Sequence, residues 1–180
     1  MQKNRSVAFL LFVTAALAAS CGDSHKKTAQ NTNLNSKEWQ DKLVEANKMY
    51  VKRESDEIDQ YAAHHNWKMI TTGTGLRYMI TKHGPGETFA KPEQIAKVDY
   101  RIMLLDGTLC YSSDKEGPKE FVVAKDNIES GLHEGIQYLR VGDEATFILP
   151  SHLAHGLTGD GNKIPAKASV IYEIKLLSLK

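Results

Sequence analysis

The segment Ile128 to Gly142 constrains the fold of this chain more than any other. Leu132, Ile136 and Leu139 recur at i, i+4 and i+7, the spacing of one face of a short helix. His133, Glu134 and Gln137 take the opposite, solvated side. Gly131 and Gly142 mark the ends, and Arg140 in the last turn suits the negative end of the helix dipole. A helix of roughly nine residues is marginal alone and must lay its apolar stripe on something. Its surroundings read as strand on both sides. The expectation is an α+β fold: an antiparallel sheet wrapped on one short helix.

The strand signals are of period two. Leu76, Tyr78 and Ile80 alternate with Arg77, Met79 and Thr81, and the run stops at Gly84-Pro85-Gly86. Val98, Tyr100, Ile102 and Leu104 alternate likewise before the hairpin turn Asp106-Gly107, and the return leg begins at Thr108-Leu109-Cys110-Tyr111. Phe121 and Val123 mark another strand, and Ala145, Phe147 and Leu149 precede Pro150. Val170, Tyr172, Ile174 and Leu176 form the last. Short antiparallel strands around one helix make a half-barrel.

Upstream the pattern differs. Lys3 and Arg5 precede an apolar run from Val7 to Ala19, about thirteen residues, too short to span a bilayer but suited to the core of a secretory signal. The run ends Leu17-Ala18-Ala19-Ser20-Cys21. Small residues directly before a cysteine resemble the lipobox of bacterial lipoproteins, although Leu17 stands one place further from the cysteine than usual. Residues 1–20 are therefore read as a lipoprotein signal and Cys21 as the lipidation site; the alternative is an ordinary signal cut nearby. With Cys21 lipidated, Cys110 has no partner within the chain, so the core holds the domain without a disulfide. Residues 21–35 are polar and small and read as a disordered tether. From Ser36, a candidate N-cap, Trp39, Leu43, Ala46 and Tyr50 follow at helical spacing, and the pattern runs on to about His65 with Ile58, Tyr61 and Ala62. One helix or two fit this stretch. Such a segment can dimerise, dock on an envelope partner or pack onto the sheet, and packing is the default. The domain plan is a helical segment over 36–70 and the sheet domain over 71–180.

Composition narrows the function. A net charge of +1 and the lack of a basic run argue against nucleic acid as a partner. His152 and His155, with the His64-His65 pair, lack a carboxylate or cysteine to complete a metal ligand set, so no metal is expected. Cys110 reads as an inert buried thiol.

Residues 98–179 resemble the FK506-binding-protein class of peptidyl-prolyl isomerases. The resemblance rests on Val98-Asp99-Tyr100, Leu105-Asp106-Gly107-Thr108, Ser112-Ser113, Phe121, Gly131-Leu132-His133-Glu134-Gly135, Leu139-Arg140-Val141-Gly142-Asp143, Ile148-Leu149-Pro150, Ala154-His155-Gly156, Gly161, Ile164-Pro165 and Ile174-Lys175-Leu176-Leu177, in order and at matching spacing. With its leader and first helix the whole chain is similar to envelope lipoprotein isomerases of Bacteroidetes-type bacteria, one of which is associated with gliding motility. What the resemblance implies is an enzyme that turns X-Pro bonds in polypeptides, lipid-anchored in the bacterial envelope and facing the periplasm.

The implied chemistry needs no general acid or base, no metal and no cofactor. The X-Pro amide resists rotation with a barrier of about 18–20 kcal/mol. Twisting it decouples nitrogen from carbonyl, so a water-poor apolar pocket that grips proline favours the twisted form. Carried across from the family, Tyr100, Phe121, Ile128, Ile164 and Tyr172 are the expected walls. At Glu129 the backbone N–H is the implied contact and the side chain matters little. Four positions depart from the family pattern. Cys110 replaces a phenylalanine, forfeiting apolar contact on the order of 1–2 kcal/mol. Tyr111 replaces an aspartate, and its ring can swing towards the vacated space. Leu132 replaces the tryptophan of the floor. His155 replaces a tyrosine, keeping a donor on a ring nitrogen. Three readings follow: an active isomerase, ranked first; a holdase or adaptor using the same cleft; and a structural lipoprotein of an envelope machine that docks through residues 36–66.

Overall fold

The computed structural model describes residues 36–180; the leader, Cys21 and the tether lie outside the described residues. Helix α1 (Ser36–His64) is a single element, with Ser36 already its first helical residue. No glycine or proline interrupts it, and Lys42–Glu38, Lys52–Asp56 and Arg53–Glu57 pair at i,i+4 along its exposed side. It ends where Asn66 takes a left-handed conformation (φ 56°). Asn66 N–H then bonds Ala63 O at 3.0 Å and Trp67 N–H bonds Ala62 O at 2.9 Å. These are the two bonds of a Schellman motif, with asparagine at the position glycine usually takes.

The strands are β1 (Ile70–Thr71), β2 (Arg77–Lys82), β3 (Ile95–Leu104), β4 (Leu109–Ser112), β5 (Lys119–Val122), β6 (Glu144–Leu149) and β7 (Val170–Leu179). All pair antiparallel in the order β1-β2-β6-β7-β3-β4, with β5 added to the other half of the β3 edge that β4 occupies. Two short helices interrupt them, α2 (Ser113–Glu116) and α3 (Ser130–Ile136). The architecture is the expected α+β half-barrel on a short helix, preceded by an N-terminal helix.

Helix α3 lies against one face of the sheet. Its contact residues include two glycines: a Cβ on Gly131 would stand 2.6 Å from Leu149 Cγ, and one on Gly135 would stand 2.6 Å from Phe147 Cε2. Gly131 is therefore a close-packing position inside the helix and not its boundary. The helix is also shorter than its apolar spacing suggests. After Ile136 the bonds tighten to Tyr138 N–H→Gly135 O and Leu139 N–H→Ile136 O. Leu139 is fully buried but past the helix, and Arg140 leaves the helix end altogether to lie 4.5 Å over the Phe89 ring. The chain must turn there to enter β6, which it does through Gly142 at φ 90°.

The second half of α1 covers the opposite face. Ile58 is buried against Ile148 and Ile171, with Tyr61, Trp67, Met69, Met103 and Leu105 around them. This explains why β6 is buried along both faces, Phe147 towards α3 and Ile148 towards α1. The first half of α1 projects: Trp39 is 47%, Leu43 58% and Met49 66% exposed.

Candidate active site

The register of three strands assembles the site. Ile102 stands opposite Tyr111 on β4 and opposite Tyr172 on β7, so Tyr111, Ile102 and Tyr172 form one transverse row on one face of the sheet. Tyr100, two residues along β3, stands opposite Ile174, and Val98 stands opposite Lys119. Period two brings Val98, Tyr100 and Ile102 to the same side. Together with Leu132 of α3 these residues surround a cavity of about 260 Å³ between helix and sheet. Glu116, Glu129, His155 and Asp160 complete its lining.

Of the residues singled out in the sequence, Tyr100, Tyr111, Glu129, Leu132, His155 and Tyr172 line this cavity, and Cys110, Phe121, Ile128 and Ile164 do not. Phe121 stands opposite Ala96, one row beyond the cavity, where its ring meets His133 edge-on at 5.8 Å between centroids. Lys119 takes the row that faces the cavity. Ile128 borders a shallower depression beside Lys119 and His155. Ile164 is buried, with its N–H donating to Asp160 Oδ1 at 2.8 Å, and is not part of the wall. Cys110 is buried with its thiol towards the carbonyls of Thr108 and Lys163, 3.7 Å from each. Burial first, then the nearby Asp160 carboxylate, pushes that thiol up from its ordinary pKa, which keeps it unreactive.

The largest correction concerns Glu129. The residue is the N-cap of α3, and its carbonyl starts the helix by accepting from Leu132 and His133 N–H. Its side chain makes no capping bond. Instead it turns into the cavity, where it is 9% exposed. Oε1 lies 3.1 Å from His155 Nε2, an ion-pair distance without hydrogen-bond alignment. Oε2 is buried and makes no aligned hydrogen bond, and neither does the Tyr172 hydroxyl, which lies close enough to the Glu129 carboxylate to feel its charge. Burial, then the Glu129 charge, raises the Tyr172 hydroxyl well above its ordinary pKa.

Two further acid–phenol pairs flank the cavity. Tyr100 Oη donates to Glu116 Oε2 at 2.8 Å. Burial, then this bond and the charges of Glu116 and Glu129, pushes the phenol up to about 12. Tyr111 Oη donates to Asp160 Oδ2, and Lys163 Nζ sits 4.6 Å over the Tyr111 ring. Burial works against ionisation of Asp160. The donors from Tyr111 and from the N–H groups of Asn162 and Ile164 outweigh it, and its pKa falls to about 2. The cavity thus has aliphatic and aromatic walls as expected, but an ionisable lining that the family pattern alone does not convey.

Glu116, Lys119 and Asp160 were missed by sequence reasoning. Period two from Phe121 was the available signal for Lys119, read one step out of place. His133 was also misread as solvated. Its Nδ1 accepts from Ala124 N–H at 2.9 Å and its Nε2 faces Asp126 O at 2.8 Å. It therefore clamps the 124–128 loop that delivers Ile128 and Glu129 to the site.

A half-barrel closed on a short helix leaves an aromatic recess between the two, the kind of concavity in which ligand sites lie. Residues 86–177 match the family profile of the FKBP-type peptidyl-prolyl cis-trans isomerases. The chain is 36% identical over 145 residues to the probable FKBP-type peptidyl-prolyl cis-trans isomerase FkpA of Neisseria meningitidis serogroup B, covering 79% of this chain and 52% of that protein. It is 39% identical over 113 residues to the FkpA of Aeromonas hydrophila, covering 61% and 40%. It is also 39% identical over 80 residues to the mouse peptidyl-prolyl cis-trans isomerase FKBP10, covering 44% and 14%. The chain belongs to the FKBP-type peptidyl-prolyl cis-trans isomerase family. It spans about half the length, or less, of these relatives.

Proposed function

We propose that this chain is a peptidyl-prolyl cis-trans isomerase that turns X-Pro bonds of polypeptide clients in the cavity bounded by Tyr100, Tyr111, Leu132, His155 and Tyr172. The observation that carries the reading is the transverse row Tyr111–Ile102–Tyr172 with Leu132, which gives the cavity of about 260 Å³ an aromatic and aliphatic wall against which a proline ring can sit. Desolvation of the bond there favours the twisted amide, whose C–N linkage is less polar than that of the ground state. The N–H of Glu129 and the imidazole of His155 are the hydrogen-bonding groups assigned to the client backbone. Residues 71–180 form the isomerase domain in this reading, with α1 as its brace. The test is cis-to-trans isomerisation of a proline tetrapeptide. Acceleration that disappears in a folded Tyr100→Ala variant is expected, and a flat trace for the unaltered protein contradicts the reading.

The location proposed is the bacterial envelope, with the chain lipid-anchored through Cys21 and facing the periplasm. The support is the sequence Leu17-Ala18-Ala19-Ser20-Cys21 after an apolar run. Among the described residues no helix is long and apolar enough to cross a membrane. Of the alternatives, a holdase or adaptor would use the same cleft, whereas a structural lipoprotein of an envelope machine such as that of gliding motility is favoured by the projecting half of α1. Its exposed Trp39, Leu43, Val44 and Met49 are suited to a partner or a second copy. Loss of cellular function on Leu43→Glu with isomerisation unchanged is the outcome that supports it.

A further inference from the structure

The charge lining the recess goes beyond what turning a generic X-Pro bond requires. Three carboxylates, Glu116, Glu129 and Asp160, face one ammonium, Lys119, with the His155 imidazole and three phenols among them. Glu129 is nine-tenths buried; its Oε1 lies 3.1 Å from His155 Nε2 without hydrogen-bond alignment, and its Oε2 makes no hydrogen bond within the protein. A buried carboxylate oxygen without a donor is costly, and most such oxygens in folded proteins are paired. Glu116 shares the wall: both carboxylates act on the Tyr100 hydroxyl, Glu116 by a direct 2.8 Å bond. The two acids therefore border one aromatic surface.

From this arrangement we infer that the recess selects X-Pro bonds in which X is basic, with Glu129 and Glu116 as the specificity-determining residues for its ammonium or guanidinium group. The inference rests on the isomerase reading of the same cavity. The bond that turns joins X to proline, and consecutive Cα atoms are only about 3.8 Å apart. When the proline ring is seated, the X side chain must leave from the cavity mouth. A lysine or arginine side chain is long enough to reach the wall, laying its methylenes on Tyr100, away from the Lys163 ammonium over Tyr111, while its charged head meets the carboxylates. An acidic X would set a fourth carboxylate among Glu116, Glu129 and Asp160, where like charges repel in a partly desolvated space. An aliphatic X gains the walls but brings no counter-charge to the carboxylates.

The test uses three tetrapeptides that differ only at X, as lysine, leucine or glutamate. Both kcat/KM for isomerisation and Kd by calorimetry are measured at pH 7 and low salt. Lysine is expected to exceed glutamate by roughly tenfold or more in both quantities, with leucine between them. Glu129→Gln and Glu116→Gln should each narrow the lysine-to-glutamate ratio, and Lys119→Gln should widen it. Glu116 is exposed, so its variant keeps the test usable if the buried Glu129 substitution unfolds the protein. Three peptides within twofold of one another in both quantities would overturn the inference, as would a ratio that ignores all three substitutions. If no peptide is accelerated but lysine still binds tighter than glutamate, the isomerase reading fails while the acidic seat stands.

Discussion

The carboxylate of Glu54 accepts the backbone N–H of Ser151 at 2.7 Å, joining the middle of α1 to the turn that leads into His155. The same Oε1 accepts from Ser169 Oγ at 2.8 Å, at the entrance to β7. Glu54 is buried, and Tyr50 one turn earlier adds bonds to Ser151 Oγ and Lys167 O. One face of α1 thereby fixes both ends of the 151–169 loop, which carries His155 and Asp160.

Glu54→Ala should therefore cost about 2–4 kcal/mol, because it leaves a buried N–H and a buried hydroxyl without their acceptor. Urea denaturation measures this. Glu57→Ala, which removes only an exposed 3.7 Å pair with Arg53, should stay within about 0.5 kcal/mol of the parent. Equal effects of the two substitutions would contradict the brace.

Close packing of α3 gives a second expectation. Gly135→Ala drives a methyl group to 2.6 Å from the Phe147 ring, which sits in the fully buried core and cannot withdraw freely. A loss of about 1–3 kcal/mol is expected from overpacking. At Gly73 a Cβ meets nothing within 4 Å and φ is not left-handed. Gly73→Ala should be neutral or stabilising, by up to about 1 kcal/mol. Thermal denaturation of the pair reads the contrast, and a Gly135→Ala variant as stable as the parent would refute the contact.

Asp160 supplies a pH dependence of definite sign. Its folded-state pKa of about 2 lies below the unfolded value of about 3.9. The carboxylate thus favours the folded state above about pH 4, and that contribution fades as pH falls from about 4 to about 2. The stability gap between the parent and Asp160→Asn should narrow over this window. A gap that stays constant from pH 5 to pH 2 would show that the Tyr111, Asn162 and Ile164 donors do not act on the charged form.

How far the sequence reaches differs between strand and charge. Val98, Tyr100 and Ile102 announce their shared face because period two is a backbone property, and the row they make with Tyr172 follows once the strands pair. Gly131 looks like a boundary because glycine usually is one, and only the sheet beneath shows it to be a contact. Glu54 is illegible for a related reason. It sits among Lys52, Arg53, Asp56 and Glu57, and a charged run at helical spacing reads as solvated until a sheet is laid against one side of it. Glu116 and Asp160 lie in a short helix and a loop without periodicity, so their meeting with Tyr100 and Tyr111 exists only in three dimensions. The Glu129 backbone was placed by family spacing, but the direction of its side chain depends on an N-cap bond it does not make.

The most direct test of the account is exchange spectroscopy by NMR on a proline tetrapeptide with a small amount of the protein, with the protein's amide shifts followed in the same titration. The account predicts cis–trans exchange peaks that appear only with the protein present, together with shift changes centred on Tyr100, Glu129, Leu132, His155 and Tyr172. Peptide binding that leaves those amides unmoved and perturbs the exposed half of α1 instead, with no exchange peaks, would contradict it.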